Sequence, residues 1–216
     1  LAGGLSSRLG RPKPLVVLGG QLVLARIKAV LDKVCDETVL VVAKDQDDAT
    51  PDTGMALGMH VVADRLPSAG PLAGIEAGLR ATTTPLAFVV AADHPFLSSR
   101  LIAAMAEMAV AGPHDAVVPS VLGRLDPLHA IYAPTAWLPL ISSRLDEGRR
   151  SIYDLINRAV ETGQPDVRLI EEADLAIYDP DVRSLFDIDT PESLVEARRM
   201  LGNAGVVRPD IRSGGL

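Results

Sequence analysis

Apolar and polar positions along this chain alternate at two different periods. Short runs rich in β-branched residues, at 38–43, 60–63, 86–91, 116–119, 129–132, 167–170 and 184–188, predict strands. Between them, residues 22–34, 71–81, 98–111, 135–147, 151–162 and 191–201 carry apolar side chains at the spacing of one helix face. Strands separated by helices of that length make βαβ units, so the expected fold is α/β with a mainly parallel sheet flanked by helices. Ser98 and Thr190 stand where helix N-caps are needed, and Pro191 suits a first helical position. The last residues, 202–216, have no period and are expected to form a loosely held tail, leaving residues 1–201 as one domain.

Composition narrows the function more than the fold. With 216 residues, 48% of them hydrophobic, the chain can bury a sizeable core. Its 21 Lys+Arg against 28 Asp+Glu give a net charge of −7, which argues against nucleic acid or an anionic membrane as partner. An anionic substrate must therefore be met by a local cationic pocket. Cys35 is the one cysteine, so an internal disulfide is excluded and a reducing, cytoplasmic setting is expected. No run approaches the roughly 20 apolar residues of a membrane helix.

The first thirteen residues, Leu1-Ala2-Gly3-Gly4-Leu5-Ser6-Ser7-Arg8-Leu9-Gly10-Arg11-Pro12-Lys13, carry the most chemistry. Glycines let main-chain N–H groups approach an anion, Ser6 and Ser7 offer hydroxyls, and Arg8 and Lys13 supply charge, which together suit phosphate. The run is neither a Walker A loop nor a Gly-x-Gly-x-x-Gly fingerprint. A loop of this kind follows a buried strand, and here that strand would lie ahead of Leu1. Asp93 ends the apolar run 86–92, at the carboxyl edge of an expected buried strand, where open α/β sheets bind ligands. A hard oxygen there suits Mg²⁺; a turn-capping aspartate next to Pro95 is the competing reading. His94 reads as a loop histidine and not as a ligand. Asp64 ends the run 60–63 in the same way. Gly70 and Pro71 open a helix whose free N–H groups can meet a base edge or a phosphate. Gly78, one turn beyond Gly74, reads as close helix packing. Asp187 and Asp189 lie on one side of an extended segment before a capped helix, placed to complete a metal site with Asp93. Arg124, Arg149 and Arg150 read as solvated surface charges, with the phosphate of an acceptor as the alternative.

These segments, in this order, resemble the molybdenum cofactor guanylyltransferases. The family's first loop reads Leu-Ala-Gly-Gly-x-Ser-x-Arg-Met-Gly-x-x-Lys, and Leu9 in place of Met is the departure from it. Asp64, the Gly70-Pro71-Leu72-Ala73-Gly74 run, the Asp93-His94-Pro95 run and the Asp187-Ile188-Asp189-Thr190-Pro191 run fit the rest. The resemblance implies a single Rossmann-like nucleotidyltransferase domain that transfers GMP from GTP to the phosphate of molybdopterin, releasing pyrophosphate. It implies nucleotide contacts from Leu1, Ala2, Gly3, Gly4, Lys13, Asp64, Gly70, Pro71, Leu72 and Asp93. Lys13, Arg8 and Asp93 would act on the phosphates, and Asp93 would hold Mg²⁺. The implied protein partners are molybdenum-inserting proteins or molybdoenzyme acceptors. Gly3 and the Pro71-Leu72 pair favour guanine, whereas an Asp-Ile-Asp-Thr-Pro string is familiar from the cytidine-using branch. Ala43 stands where the family places a nucleotide-contacting Asn. The alternatives are therefore a cytidylyltransferase of the same cofactor, another nucleotidyltransferase, and a non-catalytic GTP-binding module that delivers cofactor.

Overall fold

A computed structural model describes residues 1–4, 9–46, 48–66 and 70–203. After a short hairpin, β1 (Val17–Leu18) with β2 (Gln21–Leu22), the order is α1 (Val23–Leu31), β3 (Val39–Val42), α2 (Thr50–Ala56), β4 (His60–Ala63), α3 (Pro71–Ala81) and β5 (Ala87–Val90). Then come α4 (Ser99–Ala111), β6 (Ala116–Val121), β7 (Arg124–Leu125), β8 (His129–Tyr132), α5 (Pro134–Asp146) and α6 (Ile152–Thr162). β9 (Val167–Glu171), α7 (Glu172–Tyr178) and α8 (Pro191–Asn203) complete the fold.

Local chemistry accounts for the boundaries. Ser98 Oγ accepts from Leu101 N at 3.2 Å and Ser151 Oγ from Asp154 N at 3.2 Å, each satisfying an orphan N–H of a first turn. Thr190 Oγ1 accepts from Ser193 N at 3.1 Å while Ser193 Oγ accepts from Thr190 N at 3.0 Å, so α8 begins where Thr190 predicts it. α3 buries Leu72, Ile75 and Leu79 against Trp137 and Ile141 of α5, in the largest apolar cluster.

The sheet is less uniformly parallel than the pattern predicts. β3 pairs with β4, and β6 with β9, in parallel; β8 lies between β5 and β6 and runs against both. The cause is a hairpin. β6 turns back into β7 through Leu122 and Gly123, both at positive φ (51° and 76°), and a two-residue turn of that kind can only reverse the chain. Residues 184–188 do not form the expected strand. Asp179 Oδ2 accepts from Ser184 N at 2.7 Å and Ser184 Oγ accepts from Ser98 N at 3.0 Å, and these two bonds, the first local and the second from the cap of α4, hold a 3₁₀ turn, Arg183–Leu185, in place of a ladder. α8 continues two residues past the expected boundary at 201, and the remainder of the expected tail lies outside the described residues.

β3 and β5 flank a gap. At its carboxyl end Leu1 N donates to Val90 O at 2.7 Å, Ala92 N to Leu1 O at 2.9 Å and Ala2 N to Val41 O at 2.7 Å, the exchange that parallel neighbours make. Beyond Leu1 the gap continues as an apolar cavity of about 420 Å³, lined by Leu24, Ile27, Leu40, Leu79, Val89 and Ile102 among others.

Candidate active site

A second cavity, of about 240 Å³, opens at the carboxyl ends of β3 and β5. Leu1, Ala2, Gly3, Gly4, Lys13, Asp64, Gly70, Pro71 and Asp93, all singled out from the sequence, line it. Two glycines explain how backbone comes so close to this space. A Cβ on Gly3 would lie 2.9 Å from Ala43 N, so a side chain there would displace the main chain at the end of β3. Gly70 adopts φ 73°, ψ −169°, a region that L side chains essentially do not occupy, and it turns the chain directly into Pro71 at the first position of α3. Gly78 packs as expected, its would-be Cβ 3.3 Å from a Val41 methyl.

Lys13, on a 3₁₀ turn just after Pro12, reaches across the mouth of the cavity. Its Nζ donates to Asp93 Oδ2 at 2.8 Å and also to Asp189 Oδ1. Burial opposes the lysine charge, but the bonds to Asp189 and Asp93 outweigh it and hold the pKa above its ordinary value. Ile188 N donates to Asp93 O at 3.0 Å, which fastens residues 187–189 beside Asp93. Burial, then the charges of Asp189 and Asp93, push the Asp187 carboxyl up. Burial also raises the Asp64 carboxyl. Asp93 Oδ1 is buried with no hydrogen-bond partner, an acceptor left for something else to satisfy. Among the described residues, no three His, Cys, Asp or Glu side chains converge as a ready-made metal cage.

Behind Asp93 lies a group that sequence reasoning missed. His94 is in the loop, as expected, but it is buried, with Nε2 3.8 Å from Asp93 Oδ1 and its ring stacked 5.8 Å from that of His129. His129 is fully buried, and burial holds its pKa well below the usual value, so it is a neutral imidazole. Burial raises the Asp126 carboxyl, partly countered by His94. A histidine opening an apolar run was the available signal for His129; nothing marked Asp126.

One expected contact turns the other way. Leu72 is fully buried in the core against α5 and does not line the cavity, because the position after Pro71 on α3 faces inward. Arg8, together with Leu5, Ser6 and Ser7, lies outside the described residues. Arg124, Arg149 and Arg150 are exposed, as a surface reading requires. On the far side of the cavity, Arg65 and Arg80 both donate to the buried Glu76 of α3, which ties the segment after Asp64 to that helix.

Residues 1–162 match the family described as MobA-like NTP transferase domain. The chain is 34% identical over 214 residues to a protein of Chloroflexus aggregans named "Probable molybdenum cofactor guanylyltransferase", covering 95% of both. It is 32% identical to a molybdenum cofactor guanylyltransferase of Desulfosudis oleivorans, covering 91% of each. Among solved structures it resembles molybdopterin-guanine dinucleotide biosynthesis protein A of Archaeoglobus fulgidus, with a TM-score of 0.74, 26% identity and coverage of 94% of this chain and 96% of that one.

Proposed function

Because the chain belongs to the MobA-like NTP transferase family, we propose that it transfers GMP from GTP to the phosphate of molybdopterin, forming the guanine dinucleotide cofactor and pyrophosphate. The observation that carries this reading is the cavity that gathers the glycine loop, Lys13, Asp64, Gly70 and Asp93 at the carboxyl ends of β3 and β5. Crevices there are where open α/β sheets take nucleotides.

In this reading Gly3, Gly4 and the start of α3 bring main-chain N–H groups against base and phosphates, with the Gly70 turn setting the direction of the helix. Lys13 and Arg8 neutralise triphosphate charge. A phosphate oxygen of the pterin attacks the α-phosphorus and the bond to the departing pyrophosphate breaks, a transfer in which positioning and charge dominate. Asp93, with Asp187 and Asp189, offers hard carboxylate oxygens, and the unpartnered Asp93 Oδ1 fits a divalent cation held by few protein ligands and completed by phosphates and water. When bound, that cation, Mg²⁺ in our reading, neutralises charge on the phosphate oxygens. No helix among the described residues is long and apolar enough to cross a membrane, and we place the protein in the cytoplasm, where it would pass its product to molybdenum-inserting proteins or molybdoenzymes.

The test of the reaction is pyrophosphate release from GTP, with molybdopterin and Mg²⁺, beside the same assay with CTP. The expected preference for GTP exceeds tenfold, or about 1.4 kcal/mol. A CTP preference would hand the assignment to the cytidylyltransferase and make Asp187 and Asp189 the better guide. Tight GTP binding without pyrophosphate release would favour a delivery module.

A further inference from the structure

We infer that in the nucleotide-free protein the Lys13 ammonium occupies the divalent-cation position between Asp93 and Asp189, so that metal loads only when nucleotide phosphates draw Lys13 away. This rests on the proposed role of Asp93 as metal ligand. The supporting geometry is that of a cation site already filled. One ammonium bonds at once to carboxylates 80 and 176 residues away in sequence, from the end of β5 and from the segment before α8. These are oxygens of the kind a hard cation needs, and Asp187 lies near enough to feel the charge of both.

The exchange adds a positive charge to the site. Lys13 puts a single positive charge against Asp93 and Asp189 where a divalent ion would put two. To enter alone, the ion must break both of these charge-assisted hydrogen bonds. A triphosphate changes that, since it gives the ammonium new anionic oxygens at the same cavity, which Lys13 already lines. It also supplies ligands that a carboxylate pair lacks. The consequence is an order of events: metal and nucleotide arrive together, and metal alone binds weakly. Lys13 thus exchanges carboxylates for phosphates as the cavity fills.

The experiment is Mn²⁺ titration of the whole chain without nucleotide, followed by electron paramagnetic resonance of the free ion. Lys13→Met should bind Mn²⁺ at least tenfold more tightly than the parent, and the gain should vanish in Lys13→Met/Asp93→Asn. Lys13→Arg, which keeps the charge, should bind like the parent. Lys13→Gln removes the charge with a polar terminus and takes the place of Lys13→Met if circular dichroism shows that the methionine variant is unfolded. Equal or weaker Mn²⁺ binding by the neutral variants overturns the inference. Mg²⁺-dependent turnover of Asp93→Asn separates the two ideas. Normal turnover removes Asp93 from the site and the proposed metal role with it, whereas lost turnover without tighter Mn²⁺ binding in Lys13→Met sinks only the occupancy by lysine.

Discussion

Replacing Gly3 with alanine places a methyl carbon 2.9 Å from Ala43 N, and that contact is with main chain, which cannot swing aside as a side chain does. Gly3 is not in the left-handed region, so the new residue can adopt the backbone; the cost comes from crowding alone. Overpacking of this kind costs about 1–3 kcal/mol. The smaller unfolded-state entropy of alanine returns about 0.4–1 kcal/mol to stability but nothing to ligand binding. Urea unfolding should therefore show a net loss of roughly 0–2.5 kcal/mol. Relief by moving the loop off β3 should instead appear in nucleotide affinity, as a loss of about five- to 150-fold for GTP. Gly4, whose would-be Cβ meets none of the described atoms within 4 Å, is the matched control for the steric cost and should leave the urea midpoint little changed. Calorimetric titration of both variants with GTP and with CTP reads the result. If Gly3→Ala bound GTP like the parent, the close approach would not matter to the site. If it gained CTP affinity at the expense of GTP, position 3 would be choosing the base directly, and the steric reasoning would be wrong.

Asp93→Asn should keep the fold and lose turnover on the order of a hundredfold at saturating Mg²⁺, since the amide preserves shape while removing the charge a hard cation needs; circular dichroism with pyrophosphate release checks both halves. Glu76 is buried, yet hydrogen bonds from Arg65, Arg80 and Ser142 outweigh the upward push of burial and depress its pKa. Its contribution is therefore present above the unfolded carboxylate value, about 4.3, and lost as pH falls through the lower folded value. Glu76→Gln should cost about 1–3 kcal/mol at pH 7, and its gap from the parent in urea midpoints should narrow below pH 4.3; a constant gap would contradict the assignment.

Much of this was legible from residue order. β4, β8 and α3 fall where their patterns predict, because each has an uninterrupted period and a clear stop signal. Most of the cavity lining could be named because glycines and carboxylates at strand ends announce themselves by type. What the pattern hid was decided by one backbone angle and by particular side-chain contacts. The reversal of β8 depends on Leu122 adopting positive φ, which its side chain disfavours. The loss of the 184–188 strand depends on Asp179 and Ser98 meeting Ser184. Asp126 and His129 gather behind Asp93 through strand pairing, and no local motif encodes that. α2 and α7 are too short for a period to rise above its neighbours.

The bond between Lys13 and Asp189 has a consequence for how the protein is made. Chains emerge from the ribosome amino end first, at roughly 5–20 residues per second, so the 176 residues separating this pair take about 9–35 s to synthesise. Throughout that interval the glycine loop exists without one of its anionic neighbours, and the segment that pins Asp93 through Ile188 has not yet appeared. The cavity is therefore completed only when the segment ahead of α8 has been made. A chain cut short before residue 187 would hold the phosphate loop and the core around α3, but not the finished site.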